Sequence, residues 1–115
     1  MILDSLLTNP HHLRLAIEGM GAIRNMIAEA GDKQALVSPT LLSVVLESLK
    51  NHIGHEELVN NAFRVLLLVS KNNQEVLLAL RELDAENLLG EACSLHLGSK
   101  EIKTMTKIFW NRFNQ

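Results

Sequence analysis

Tyrosine is absent from this chain, and the remaining aromatics are three phenylalanines and one tryptophan. So few rings cannot build the stacking platforms that read single-stranded nucleic acid. The single cysteine, Cys93, excludes an internal disulfide and a zinc site made of cysteines alone. An excess of positive charge is also lacking: 11 Lys and Arg stand against 13 Asp and Glu, a net charge of −2. A general nucleic-acid binder would show a basic field, so none is expected here. Long apolar runs are missing too. A run such as Val65-Leu66-Leu67-Leu68-Val69 falls far short of the ~20 residues of a membrane span. The stretch Met1–Leu7 has no basic flank and too short an apolar core for a signal peptide. An unpaired Cys93 suits a reducing compartment. The expectation is an intracellular protein, cytoplasmic or nuclear, without a membrane span.

What is present is leucine at helical spacing. The 115 residues are 47% hydrophobic and 21% charged, enough for one domain with one modest core. Leu13, Ile17, Met20, Ile23 and Ile27 recur at intervals of three and four. Leu42, Leu46 and Leu49 do the same, as do Leu58, Ala62, Val65 and Val69, and later Ile102, Thr106, Phe109 and Phe113. Each set lines one side of a helix, the side that must be buried. The spacing predicts helices near 2–8, 11–29, 33–37, 39–52, 56–71, 74–83, 85–97 and 100–113. Asn9-Pro10 and Ser38-Pro39 each place a capping side chain before a proline at the first helical position. Asp32, Asn73, Asp84 and Ser99 are further N-cap candidates. Gly31, Gly54 and Gly98 stand where a left-handed residue would end a helix. Gly19 and Gly21 weaken the helix that contains them.

The helices repeat. Setting Ser38-Pro39 on Asp84-Ala85, a step of 46, carries Leu42, Leu46 and Leu49 onto Leu88, Ala92 and Leu95. Leu58 then meets Ile102 at a step of 44, and Ala62, Val65, Leu66 and Val69 meet Thr106, Phe109, Trp110 and Phe113. The change of step falls in the loop between, 51–56 against 97–100. Upstream, Leu13 precedes Leu58 by 45. A helical unit recurring at this interval predicts stacked helix groups, an α-solenoid.

The stretch Arg81-Glu82-Leu83-Asp84-Ala85-Glu86-Asn87-Leu88-Leu89, with Leu95-His96-Leu97-Gly98-Ser99-Lys100-Glu101-Ile102, resembles an armadillo repeat. The stretch from Glu56 to Leu66 resembles the start of another third helix of that family. The resemblance covers about 80 residues as two units, with residues 11–30 as a leftover third helix. It implies an all-α, right-handed solenoid of about two and a half repeats: a partial repeat over 1–30, then 31–71 and 72–115, in one domain. HEAT repeats are the close structural alternative. Asp84 and Ser38 replace the glycine usual between first and second helices. Arg64 and Leu68, and Ile108 and Arg112, stand where many peptide-binding members carry tryptophan and asparagine, so that particular grip is not implied.

In such a fold the third helices line a concave face. The resemblance implies a partner-binding groove with Ala16, Gly19 and Ile23, then Asn61, Arg64 and Leu68, then Met105, Ile108 and Arg112 looking inward. Arginine's fork of donors suits carboxylates, so an acidic and leucine-like protein segment is the expected partner. Phe109, Trp110 and Phe113 gather three of the four aromatics near the C-terminus. They are either core, with Trp110 matching Leu66, or an end-to-end interface open to a second copy. The further alternatives are a self-associating structural fragment of a larger protein and a small regulatory helical bundle.

Catalytic signals are absent: no phosphate-binding Walker loop, no nucleophile elbow and no dinucleotide fingerprint occur. His52-x-x-His55 and Cys93-x-x-His96 form the most metal-like spacing, but a surface or packing role is the simpler reading. His11-His12 reads as a solvated helix start. Lys100, Lys103, Lys107 and Arg112 read as a solvated stripe. The expectation is a non-catalytic interaction scaffold with no cofactor and no metal.

Overall fold

The structure is a computed structural model, and it describes residues 12–29, 39–71 and 73–114. The expected helices near 2–8 and 33–37, and the features at Asn9, Pro10, His11, Gly31, Asp32 and Ser38, lie outside the described residues. Among the described residues the chain is all-helical: α1 (Leu13–Glu29), α2 (Pro39–Asn51), α3 (Glu56–Ser70), α4 (Gln74–Glu82), α5 (Ala85–Leu95) and α6 (Lys100–Phe113). Helix α3 is central. It packs most extensively on α1, then on α2 and α6, and it also touches α4; α5 bridges α4 and α6. The three longest helices, α1, α3 and α6, therefore lie in that spatial order. The molecule measures 35 × 33 × 25 Å, with a radius of gyration of 13.0 Å.

The helix starts follow the capping expectations in part. Asn73 accepts from the Val76 amide at 3.1 Å, and Ser99 from the Ile102 amide at 3.2 Å. Each satisfies an amide that the helix itself leaves unpaired. At α1 the cap is His12, whose Nδ1 accepts from the Leu15 amide at 3.1 Å. Asp84 holds the N-cap position of α5 by a different means. Its backbone is left-handed, φ 61 and ψ 34, and its side chain makes no capping bond; it accepts instead from Asn87 Nδ2 at 2.9 Å. Aspartate is among the few side chains that visit this region.

The glycine stops are not used as expected. No described glycine has positive φ. Helices α2 and α5 end in matched turns: the His55 amide donates to the His52 carbonyl at 3.0 Å, and the Ser99 amide to the His96 carbonyl at 2.9 Å. His52 and His96 are 44 residues apart, as are Gly54 and Gly98.

This corrects the register of the expected repeat. Asn51 and Leu95, which end α2 and α5, are 44 apart, as are Glu56 and Lys100, which begin α3 and α6. A constant step of 44 sets buried Leu41, Val45 and Ser48 on buried Ala85, Leu89 and Ala92. The step of 46 instead matched Leu49, 0% exposed, with Leu95, 55% exposed. Those two positions do not share an environment. The length difference lies at the start of the second helix, where α2 begins at Pro39 and α5 at Ala85. Volumes compensate within this register. Buried Leu46 and Leu66 correspond to Gly90 and Trp110, and a Cβ on Gly90 would lie 3.7 Å from the Trp110 ring. The indole leaves room there for a methyl group but occupies the space that a longer side chain at position 90 would need.

The core runs without a break from Met20 and Ile27 on α1 through Leu58, Phe63 and Leu66 on α3 to Ile102 and Phe109 on α6. Phe63 and Phe109 meet edge to face, centroids 5.9 Å apart at 88°. Burying each such ring contributes roughly 1.5–3 kcal/mol. Phe109 and Phe113 are both in this core, and Trp110 is half-buried against it. Phe109 packs on Phe63 of α3, Trp110 lies against Gly90 of α5, and Phe113 lies beneath Arg81 of α4.

Candidate functional site

Helices α1, α3 and α6 share a groove of about 600 Å³ lined by Arg24, Ala28, Arg64, Leu67, Leu68, Lys100, Glu101, Thr104 and Met105. Its placement follows from the order of the three helices: α3 forms the middle, and the other two form the banks. Ala28, Leu67, Leu68 and Met105 supply the apolar part. Three cations and one carboxylate, Arg24, Arg64, Lys100 and Glu101, supply the charge.

Two polar bridges hold the banks. Arg24 donates from Nη1 to Asn61 Oδ1 at 2.8 Å, joining α1 to α3. Arg64 donates from Nη2 to Glu101 Oε2 at 3.1 Å, joining α3 to α6. Arg64 Nε also donates to Asn60 Oδ1 at 2.7 Å, and the Asn60 amide donates to Glu101. Hydrogen bonds from Asn60 and then from Arg64, reinforced by the Arg64 charge, hold the Glu101 carboxyl below the usual glutamate range. Both partners are largely exposed, so this pair sets geometry more than it stabilises the fold. Among the described residues Arg24 finds only neutral amide acceptors, Asn61 and Asn25, and no carboxylate pairs with it. The Lys100 side chain makes no hydrogen bond or ion pair with the described residues.

The groove gathers Arg64, Leu68 and Met105 from the expected set. Asn61 lies beneath it, buried, as the acceptor for Arg24. The remaining expectations are corrected. Ala16, Gly19 and Ile23 face the core and are buried, because α1 is turned so that Arg24 and Ala28 take the inward place. Ile108 is exposed but is not part of the groove. Arg112 is committed elsewhere: its Nη1 donates to the Leu67 carbonyl and to Ser70 Oγ, both at 2.8 Å. It thereby satisfies the C-terminal turn of α3, where a cation also suits the helix dipole. Arg24 and Lys100 are the groove residues that sequence reasoning missed. The register of α1 against α3 would have revealed Arg24, and no local pattern carries that register.

The metal-like spacings do not converge. His52 and His55 have ring centroids 6.4 Å apart, and His96 Nε2 donates to the Ile53 carbonyl at 2.7 Å. Among the described residues no three His, Cys, Asp or Glu side chains gather so as to hold a metal ion, and no helix is long and apolar enough to cross a membrane.

No family model, curated protein or solved structure matches the chain.

Proposed function

We propose that the chain is a non-catalytic interaction module, an armadillo-like helical repeat that holds a partner polypeptide on the face shared by α1, α3 and α6. One observation carries this reading: the groove of about 600 Å³ joins an apolar strip to three cations opposed by a single carboxylate. A segment with leucine-like side chains would fill the strip, and its acidic side chains would meet Arg24 and Lys100. The 44-residue correspondence of helix ends and turns and the left-handed Asp84, standing where the family usually has glycine, support the repeat architecture. The unpaired Cys93 suits an intracellular setting.

Fluorescence anisotropy tests the reading with two labelled leucine-rich peptides, one bearing glutamates and the other glutamines. The glutamate peptide binds more tightly, and Arg24→Glu or Lys100→Glu weakens it by about two- to fivefold each. Affinities unmoved by both reversals remove this face from the binding reaction. A second reading, a small regulatory helical bundle without a superhelix, draws on the near-equal extents of 35 × 33 × 25 Å. It places contacts away from the groove, so under it the same reversals leave partner capture unchanged.

A further inference from the structure

A second, smaller cleft of about 190 Å³ lies away from the groove, between α4 and the end of α6, lined by Gln74, Leu77, Leu78, Arg81, Arg112 and Phe113. We propose that this cleft binds a monoanionic carboxylate that carries a branched apolar group.

The first argument is the donor inventory of Arg112. A guanidinium has five N–H groups. Nη1 spends its pair on the Leu67 carbonyl and Ser70 Oγ. The unspent edge is Nε–H with Nη2–H, two parallel donors spaced for the two oxygens of a carboxylate. Arg112 is half-buried and its partners, the Leu67 carbonyl and Ser70 Oγ, are both neutral, so among the described residues no counter-ion accompanies it. Burial pushes its pKa below the ordinary arginine value, as expected of a cation whose hydration is partly stripped. An anion in the cleft would restore what burial removes.

The second argument is net charge. Arg81 faces the same cleft, and its guanidinium lies over the Phe113 ring at 5.5 Å from the centroid. It donates to the Phe113 carbonyl and pairs with Glu86 at 3.2 Å. Among the described residues, two arginines against one carboxylate leave a single uncompensated positive charge. That balance suits a monoanion and disfavours a phosphate dianion.

The third argument is the wall. Leu78 is 59% exposed, Leu77 is buried, both line the cleft, and the Phe113 ring lies beneath Arg81. An apolar group beside the carboxylate would cover Leu78. Such a ligand arises in two ways, as a small branched-chain acid or as the C-terminal leucine of a peptide.

Isothermal titration of the full chain with 4-methylpentanoate, acetate, inorganic phosphate, a peptide ending in leucine and the same peptide amidated separates these. The proposal expects 4-methylpentanoate to bind more tightly than acetate or phosphate. If the peptide also binds, amidation weakens it roughly tenfold or more, the loss expected for a charge-assisted pair of hydrogen bonds; the site then takes chain termini as well as small acids. The exposed variants Gln74→Glu, which adds a like charge at the mouth, and Leu78→Asn, which removes the apolar rim, both weaken binding while circular dichroism stays unchanged. Arg112→Lys keeps the charge, loses the fork, and binds less tightly. Absence of binding by both acid and peptide, equal binding of free and amidated peptide, preference for phosphate, or indifference to Gln74→Glu each overturns the proposal.

Discussion

His96 donates from Nε2 to the carbonyl of Ile53 at 2.7 Å, so the turn after α5 is tied to the turn after α2. The two turns occupy positions 44 residues apart in the sequence, and the bond ties one directly to the other. Replacing His96 by alanine leaves that carbonyl without its donor. Stability falls by about 0.5–1.5 kcal/mol, read as a lower denaturant midpoint at constant slope. An unchanged midpoint would show the bond to be energetically idle.

Asp84 separates two ideas about how α4 turns into α5. Its φ of 61 strains any side chain that cannot bond locally, by about 1–2 kcal/mol. Thermal unfolding of a substitution series orders Asp84→Gly at or above the wild type, then Asp84→Ala, then Asp84→Val. Equal midpoints for glycine and valine would contradict the left-handed backbone at this position.

Gly90 sits inside α5, where glycine costs about 1 kcal/mol relative to alanine. A Cβ there meets the Trp110 ring at 3.7 Å, an ordinary contact. Gly90→Ala therefore raises the melting temperature, whereas Gly90→Leu lowers it because the indole already fills that space. Opposite signs from the two substitutions are the diagnostic result.

Glu101 titrates below an ordinary glutamate, through Asn60 and Arg64. With the folded value depressed, the ionised, bridged form is fully present above the usual glutamate range. It is lost only as pH falls through the lowered value. A carbon-13 NMR titration of the carboxyl places its midpoint below that of other exposed glutamates in the chain. Arg64→Gln moves it back up; a midpoint indifferent to Arg64 would mean the bridge does not form in solution.

Some of this architecture can be read directly from the residues. Three- and four-residue spacing of apolar residues reveals α1, α2, α3 and α6, and Asn73 and Ser99 announce their caps because those bonds are local. Counterparts such as Leu58 and Ile102, both fully buried, are visible too. Leu95 misled the register of the second helices, since a leucine in phase with Leu49 looks like core until its neighbours are known. The charged lining of the groove was half legible. Arg64 shares a helix with the apolar residues beside it, but Arg24 reaches the groove only through the rotation of α1 against α3. Arg112 shows the converse: its distant partners Leu67 and Ser70 claim a side chain that spacing alone assigns to the groove.

Asn60, Phe63, Leu67 and Ser70 form the flank of α3 that receives α6. The residues 44 positions further on, Thr104, Lys107 and Asn111 on α6 and Asn114 just past its end, are all exposed and polar. That flank offers no oily seat, and docking another layer on it would strand a lysine between packed helices. Lys107→Phe and Asn111→Leu would give α6 the same receptive flank that Phe63 and Leu67 give α3.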